Sequence, residues 1–310
     1  MFTWMAKKVL RSRSSIVQIG GQAISKMLSG VLEREFIKKE INWSGRSSCL
    51  LLSFDVDFPE DALALPRIVE LLTPHQIGAS FACVGRWVQD YPQAHQAVIE
   101  AGYELFNHSF SHPELINSPD HFVSFRDDLN ERRWHELSLP EKKREIHRCQ
   151  EIVRQRLGDD MQGFRAPHFG NVQIDELYPV LEELGLSYSS SKLAPRGNLL
   201  GVPVMEGTVL EIPVTTCPRH PFTSLDSWHA YYARGGWHRD DFFETLEEQF
   251  RRAIQNRGLT CIYLDPKDSD RLDFARLFAL IASLAEKCWT PNYADFASWW
   301  RNEHGVGAQA

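Results

Sequence analysis

Short apolar runs alternate with longer amphipathic stretches from residue 49 onward, and this alternation constrains the fold more than any other feature. Seven apolar runs predict strands: 49–54, 79–84, 104–107, 162–165, 187–190, 209–212 and 260–264. Six amphipathic stretches predict helices: 62–72, 93–101, 141–157, 174–184, 240–256 and 270–286. Because strands that alternate with helices form a parallel sheet, about seven such units predict an α/β fold with a distorted (β/α)7-type barrel.

The first 46 residues differ in charge from the rest of the chain. They carry nine Lys or Arg residues against three Glu, whereas the whole chain of 310 residues has a net charge of −7. Their apolar residues recur at roughly helical spacing, so we predict a basic helical extension over 1–46. A barrel domain over 47–303 and a flexible tail over 304–310 complete the prediction. The extension either packs on the outside of the barrel or makes peripheral contact with an anionic membrane surface.

The bulk composition disfavours several classes of function. A negative net charge argues against nucleic acid as a partner, since phosphate binding needs a basic surface. None of the six cysteines forms a CxxC pair, so thiolate zinc sites and thioredoxin-like chemistry are not expected. Polar residues interrupt the apolar stretch after the basic N-terminus, which disfavours a cleaved secretory signal. No apolar run is long enough to cross a bilayer, and a reducing cytoplasm is the expected location.

Polar side chains follow the predicted strands at the ends where barrel active sites assemble. Asp55 and Asp57 follow the first strand on one side of it, and two crowded carboxylates require a cation beside them. His108 and His112 follow the third strand, and histidines four residues apart face one side of a helical turn. One carboxylate and two imidazoles leave positions open on a divalent metal, and Zn²⁺ suits this set. Taken alone, Asp57 also fits the start of a loop and Asp55 the cap of the next helix, and a lone histidine is usually a core or surface group.

Two further polar groups end later strands and are expected to face the same cavity. Arg165 lies in the run FRAPHF and offers a charge partner that lowers the pKa of a carboxylate and holds its orientation. An ordinary surface arginine before a turn proline is the alternative for this residue. Asp265 ends the last predicted strand, in the run CIYLDP.

The motifs SFDVD, NHSFSH and FRAPHF, in this order, resemble the first three motifs of the NodB-type polysaccharide deacetylases, carbohydrate esterase family four. The most similar branch has a DxD first motif and an RAP third motif. The resemblance implies a NodB homology domain, a divalent metal, and hydrolysis of the amide that joins an acyl group to an amino sugar. It makes Asp55 the general base, Asp57, His108 and His112 the metal ligands, and Arg165 the residue that orients Asp55.

The chain departs from that family at its last motif. The family has a histidine as general acid where this chain has Asp265. An aspartate can donate a proton at neutral pH only if burial or a neighbouring carboxylate raises its pKa. His168 and His220 are alternative donors, and Asp55 could return the proton that it accepts. We assign Pro167 and His168 to substrate binding, and we expect a backbone N–H near His168 to help stabilise the oxyanion.

These assignments predict a metal-dependent hydrolase that removes an acetyl or formyl group from the nitrogen of an amino sugar. An intermediate of cell-surface polysaccharide or lipopolysaccharide biosynthesis suits a cytoplasmic enzyme better than a finished polymer does. Two alternatives stay open. One is an amidase that acts on a non-sugar amide, and the other is a catalytically altered barrel that binds a glycan. The missing histidine favours the binder, whereas the base beside a metal set favours the enzyme.

Two stretches, 191–207 and 218–236, are rich in loop-forming residues and predict long loops. Aromatic residues in and after the second stretch either form a stacking wall for a sugar ring or pack the loop onto the barrel. These residues are Trp228, Tyr231, Tyr232, Trp237 and His238. Near the C-terminus, the helical spacing of Tyr293, Phe296, Trp299 and Trp300 predicts a docked terminal helix.

Overall fold

A computed structural model describes residues 41–113, 134–168, 174–194, 202–218, 220–227 and 239–304. The strands are β1 (Ser48–Val56), β2 (Ala79–Cys83), β3 (Glu104–Asn107), β4 (Gly163–Phe164), β5 (Tyr188–Ser189), β6 (Val204–Glu206), β7 (Val209–Glu211), β8 (Thr216–Cys217), β9 (His220–Ser224), β10 (Leu259–Leu264) and β11 (Cys288–Trp289). The helices are α1 (Pro59–Leu72), α2 (Gly85–Asp90), α3 (Pro92–Glu100), α4 (Leu139–Leu157), α5 (Tyr178–Glu183), α6 (Arg239–Gln255), α7 (Phe274–Ala282) and α8 (Tyr293–Glu303). Short 3-10 turns lie at Thr73–His75, Trp134–Glu136, Asp175–Leu177 and Pro266–Asp268.

One curled sheet organises the described part of the chain. Its strand order is β10-β1-β2-β3-β4-β5-β7-β6, and β11 also pairs with β1. Neighbouring strands are parallel except for the antiparallel pair β6 and β7. Beyond β7, the Thr215 N–H donates to the Cys261 carbonyl at 2.9 Å, and Asp226 forms a parallel bridge with Tyr263 of β10. Irregular chain therefore lies between β7 and β10, where a closed barrel would have paired strands. The predicted barrel is confirmed as a half-barrel.

Strand β1 is buried along its whole length, as expected for a parallel strand covered on both faces. Leu50, Leu52 and Phe54 point outward into the core shared with the helices. The alternate residues point into the curl of the sheet, where Cys49 and Leu51 join an apolar cluster. Ser53 and Asp55 continue that inner row and are also buried. The interior of the half-barrel thus changes from apolar to polar along the strand direction.

Local sequence explains where the helices that flank the site begin and end. Helix α1 has Pro59 at its first position, where a missing N–H costs nothing, and Glu60 and Asp61 in its first turn favour the helix dipole. Helix α4 begins after Ser138, whose N–H donates to the Glu141 carboxylate at 2.8 Å. It ends at Gly158, whose φ of +69° suits a residue without a Cβ.

Aromatic residues of helix α8 close the apolar end of the half-barrel, opposite the end where Ser53 and Asp55 lie. Trp43 is fully buried there, its ring centroid lies 6.2 Å from that of Phe296 and 6.1 Å from that of Trp300, and its Nε1 donates to the Arg257 carbonyl at 2.8 Å. The predicted terminal helix is therefore confirmed. Residues 1–40 and 305–310 lie outside the described residues, so the basic extension and the flexible tail stay predictions. No helix in the described ranges is long and apolar enough to cross a membrane.

The predicted strands all occur, but several shorter elements differ from prediction. The loop predicted over 191–207 contains β6, and the loop predicted over 218–236 contains β9, which pairs with β8. The helix predicted over 270–286 is shortened to α7, because Asp273 has a left-handed φ of +52° and caps the helix at Arg276 N. The pattern over 174–184 divides into a 3-10 turn and α5, and α2 was not predicted at all.

Candidate metal centre

The carboxyl ends of neighbouring strands bring the predicted residues together. Asp55 lies near the end of β1, His108 follows β3, and Arg165 follows β4; β2 lies between β1 and β3 in the same parallel sheet. Ligand atoms of Asp57, His108 and His112 lie within 4.8 Å of one another. The structure therefore places these three side chains as the sequence predicts, and in the described ranges they form the one cluster of this kind.

One possible ligand atom from each of the three residues lies close to the other two. The Nε2 atoms of His108 and His112 lie 3.2 Å and 3.5 Å from Asp57 Oδ1. His108 Nδ1 lies 2.8 Å from the Arg165 carbonyl and must donate to it, which leaves Nε2 facing the carboxylate. Asp57 Oδ1 is buried and has no hydrogen-bond partner among the described residues. Such an arrangement requires positive charge, and a divalent cation fits the donor set.

The pKa values of the two histidines shift in opposite directions. Burial lowers the pKa of His108, but the carboxylates of Asp57 and Asp55 outweigh burial and leave that pKa raised. Burial also lowers the pKa of His112, and this effect prevails over the attraction of Asp57. A neutral imidazole and an ionised carboxylate are the forms that bind metal. Burial raises the pKa of Asp57, yet the two histidines outweigh it and keep that pKa below its ordinary value.

An irregular loop, not a helical turn, brings the two histidines together. Ser109 and His112 both have left-handed backbones, with φ of +65° and +47°. The Asn107 side chain accepts from Ser109 N at 2.8 Å, and Ser109 Oγ accepts from His112 N at 3.0 Å. Glu145 of α4 accepts from both the N–H and the hydroxyl of Ser111 at 2.8 Å. These bonds hold the strained loop, and the helical geometry predicted for this pair is wrong.

Arg165 holds Asp55 from the side opposite the histidines. Its Nη1 donates to Asp55 Oδ1 and, at 3.0 Å, to Ser53 Oγ. Its Nε donates to the Ser190 carbonyl at 3.1 Å, so the guanidinium is fixed from several directions. Asp55 Oδ2 remains directed toward the centre, 4.0 Å from His108 Nε2. Burial raises the pKa of Asp55, and the opposing charges of Arg165 and His108 do not cancel that effect.

The third motif continues past Arg165 along the rim of the site. Pro167 is buried, whereas His168 is exposed and has a left-handed φ of +53°. The His168 ring lies edge-on to His112, with centroids 4.7 Å apart. His168 is therefore beside the centre and reachable from solvent. Its predicted role in substrate binding stays a prediction, as does that of Pro167.

Asp265 directly follows β10, on the other side of β1 from the histidines. The residue is 6% exposed, and its N–H donates to Ser227 Oγ at 2.8 Å. Burial raises the pKa of Asp265 well above its ordinary value, and the neighbouring carboxylates of Asp61, Asp57 and Asp268 raise it further while the Lys267 ammonium lowers it. The surroundings of Asp265 thus favour its protonated form.

Several residues around the centre were not predicted from the sequence. Trp87 Nε1 donates to the Asp57 carbonyl at 2.7 Å and fixes the backbone of a predicted ligand. Asp61 and Lys267 form an ion pair of 3.3 Å next to Asp265. The one available signal was the position of Asp61 in the first helical turn after the DxD motif. The side chain of His220 and the residues 228–238 lie outside what the structure describes.

Comparison with known proteins agrees with this fold and motif order. The family described as Polysaccharide deacetylase matches residues 42–189, which include the first three motifs. Chitooligosaccharide deacetylase of Sinorhizobium fredii is 33% identical over 64 residues, 21% of this chain and 29% of that protein. Peptidoglycan-N-acetylmuramic acid deacetylase PdaA of Bacillus subtilis is 31% identical over 67 residues, 21% of this chain and 26% of that protein. The chain thus spans under a third of the length of these relatives.

Solved structures share the fold over most of the chain. A candidate polysaccharide deacetylase from Mycobacterium smegmatis has a TM-score of 0.64 at 18% identity, covering 84% of this chain and 92% of that one. Puue allantoinase has a TM-score of 0.62 at 15% identity, covering 85% and 93%. Fold and site together define an α/β half-barrel with an Asp-His-His centre. Over residues 42–189 the chain is similar to the polysaccharide deacetylase family.

Proposed function

We propose that the chain is a metal-dependent amidohydrolase that removes an acetyl or formyl group from the nitrogen of an amino sugar. The observation that carries this proposal is the convergence of Asp57, His108 and His112, with Asp55 Oδ2 directed at the same point. A divalent cation bound there would lower the pKa of a water molecule and polarise the amide carbonyl, and Zn²⁺ suits the donor set.

The residues of the chain divide the proton transfers between them. Arg165 occupies Asp55 Oδ1, so Oδ2 accepts a proton from the attacking water. Asp265 gives a proton to the nitrogen as the carbon–nitrogen bond breaks, which releases a neutral amine and a carboxylic acid. The proton on Asp55 then passes to solvent or back to Asp265. His168 lies at the exposed rim beside His112, and we assign it to contact with the sugar.

The substrate that we propose is an intermediate of cell-surface polysaccharide or lipopolysaccharide biosynthesis, met by the enzyme in the cytoplasm or at the inner membrane. The named relatives, which are deacetylases of chitooligosaccharide and of peptidoglycan, support an amino sugar as the substrate class. The buried carboxylates around Asp265 support a substrate that leaves as an amine, since they favour the ammonium that the amine becomes in water.

A catalytically altered barrel that binds a glycan is the second candidate, and Asp265 in place of the usual histidine favours it. Opposed to it is the cost of keeping the Asp55–Arg165 pair buried, at 4% and 1% exposure. Desolvating two charges is expensive, and a binding surface has no use for a carboxylate held beside a metal centre. An amidase acting on a non-sugar amide would use the same residues, so substrate tests separate it from the sugar enzyme.

A panel assay on the purified full-length chain tests the proposal. With Zn²⁺ supplied, we expect acetate or formate release from N-acyl sugar nucleotides or lipid-linked sugars, abolished by a chelator and by Asp55→Ala. The matched control Asp240→Ala, whose side chain is 81% exposed on α6, should behave as wild type. Release only from non-sugar amides would establish the amidase. Glycan binding without any release would establish the binder.

A further inference from the structure

One buried carboxylate joins the loop of a predicted metal ligand to the loop of the predicted acid. Asp61 lies in the first turn of α1 and is fully buried. Its Oδ2 accepts from the N–H of Phe58, the residue after Asp57, at 3.0 Å. Its Oδ1 accepts from the backbone N–H of Lys267, two residues after Asp265, also at 3.0 Å. Asp61 therefore connects two chain segments that are more than two hundred residues apart in sequence.

Lys267 completes this connection with its side chain. Its Nζ lies 3.3 Å from Asp61 Oδ2 and 3.8 Å from Asp265 Oδ2. The same ammonium lies 3.8 Å above the ring of Phe58, a favourable position for a cation. Main chain and side chain of Lys267 thus converge on one carboxylate, and the ammonium reaches the predicted acid at the same time. We call Asp61 and Lys267 the latch.

Four carboxylates surround the Lys267 ammonium. The carboxylates of Asp61, Asp265, Asp57 and Asp268 all act on it and raise its pKa, although burial opposes them. Burial raises the pKa of Asp61 to about 7, and the Lys267 ammonium counteracts this effect. Without the ammonium, the carboxylates would repel one another, and the Asp265 side chain would lose the one cation that lies near it among the described residues.

A purely structural role is an incomplete explanation for the latch. A fully buried carboxylate paired with a lysine that is only 23% exposed is a costly way to join two loops, since apolar side chains of similar volume do so without desolvating charge. The exposed pair of Lys143 and Glu183 joins α4 to α5 without that cost, with side chains 38% and 62% exposed. What the latch adds is a fixed spacing between Asp57 and Asp265 and a defined charge beside Asp265.

We propose that Asp61 and Lys267 are positioning residues, which hold Asp265 at the distance and orientation needed to protonate the leaving amine. This inference rests on the proposed function. It predicts that loss of the latch lowers kcat, because a displaced Asp265 transfers its proton to the leaving amine less efficiently. It also predicts that the KM and the affinity for Zn²⁺ stay nearly unchanged when Lys267 is replaced, because the Lys267 ammonium pairs with Asp61 and Asp265 and with none of the predicted ligands.

A double-mutant cycle on the Zn²⁺-loaded full chain tests the inference. Lys267→Met should lower kcat by about tenfold or more, with KM and the Zn²⁺ dissociation constant, measured by calorimetry, within about twofold of wild type. Lys267→Arg should restore most of the loss, and Lys143→Met should match wild type. In the Asp265→Asn background, adding Lys267→Met should cause no further loss, because coupled residues are non-additive.

The outcomes of this cycle separate the two claims. Additive losses of kcat, or a Lys267→Met variant with normal kcat, would overturn the latch while leaving the hydrolase intact. A wild-type chain that binds Zn²⁺ but releases no acyl group from any substrate would overturn the proposed function. Asp61→Asn carries the same cycle independently if Lys267→Met does not fold, and it too should add nothing to Asp265→Asn.

Discussion

Glu104 and Asp57 are two enclosed carboxylates at opposite ends of the same sheet, and their surroundings differ in one respect. Glu104 begins β3 and accepts hydrogen bonds from Ser80 Oγ at 2.6 Å, Tyr188 OH at 2.6 Å and Ala294 N at 3.1 Å. Asp57 follows β1, and its Oδ1 has no hydrogen-bond partner in the described ranges although it is buried. The Glu104 carboxylate therefore stabilises the fold by accepting these hydrogen bonds, whereas Asp57 Oδ1 is available to bind a ligand.

The largest predicted effect comes from removing each carboxylate in turn. Asp57→Ala should weaken Zn²⁺ binding by more than ~100-fold and abolish hydrolysis, while the metal-free protein changes little in stability. Glu104→Ala should leave Zn²⁺ binding intact but lower the free energy of unfolding by about 3 kcal/mol, since buried donors lose their acceptor. Calorimetry and urea unfolding measure both quantities. Equal effects of the two variants on metal affinity would break the comparison.

Arg165 provides a second test, because it is the charge partner of Asp55, the buried carboxylate next to the proposed metal centre. Arg165→Met leaves Asp55 buried without its guanidinium, so the free energy of unfolding should fall by about 3–5 kcal/mol. The pKa of Asp55 should rise further and kcat should fall, because the base becomes protonated. Arg154→Met, which breaks an exposed pair with Asp160, should cost under about 1 kcal/mol. Urea unfolding at pH 8 would contradict the account if both variants cost the same.

His95 sharpens the comparison, because an unpartnered buried atom alone does not define a site. Its Nε2 is buried without a hydrogen-bond partner among the described residues, but Nδ1 lies 2.9 Å from the Tyr91 carbonyl, and no metal-binding cluster in the described ranges includes it. Burial lowers the pKa of His95 to about 4. Asp57 differs from His95 because two other possible metal ligands, His108 and His112, lie beside it.

The lowered pKa of His95 makes the free energy of unfolding depend on pH. The unfolded chain protonates His95 near its ordinary pKa of ~6.5, whereas the folded chain resists protonation until about 4. Stability from the neutral ring is thus complete above pH ~6.5 and is lost as the pH falls through 4, by up to about 3 kcal/mol. His95→Leu should remove this part of the pH dependence of urea unfolding. An unchanged slope between pH 7 and pH 4.5 would rule the explanation out.

The smallest predicted effect concerns the support of the histidine loop. Glu145→Ala removes the acceptor that holds Ser111, so the left-handed loop that presents His112 should loosen. Zn²⁺ affinity should fall by about 10–100-fold, as for other groups that orient a ligand. Glu151→Ala, on the same helix with a side chain 48% exposed, is the matched control. Identical affinities for the two variants would show that the loop does not depend on α4.

Sequence reasoning succeeded where the pattern is local. Strand β1 was predictable because a parallel strand is a continuous apolar run, and Asp57 and His108 were predictable because they directly follow such runs. The helical geometry assigned to His108 and His112 was wrong because two left-handed residues break the helix, and no periodicity encodes them. Asp61 and Lys267 were missed because their contact depends on how β1 and β10 pair, which sequence distance conceals.

Anomalous diffraction at the zinc edge, from crystals of the full chain grown with Zn²⁺, measures the central claim most directly. The account predicts one ion within about 2.0–2.2 Å of Asp57 Oδ1, His108 Nε2 and His112 Nε2, with Asp55 Oδ2 beside it and unbound. An ion at saturating Zn²⁺ that binds elsewhere, or no ion between these three side chains, would contradict it.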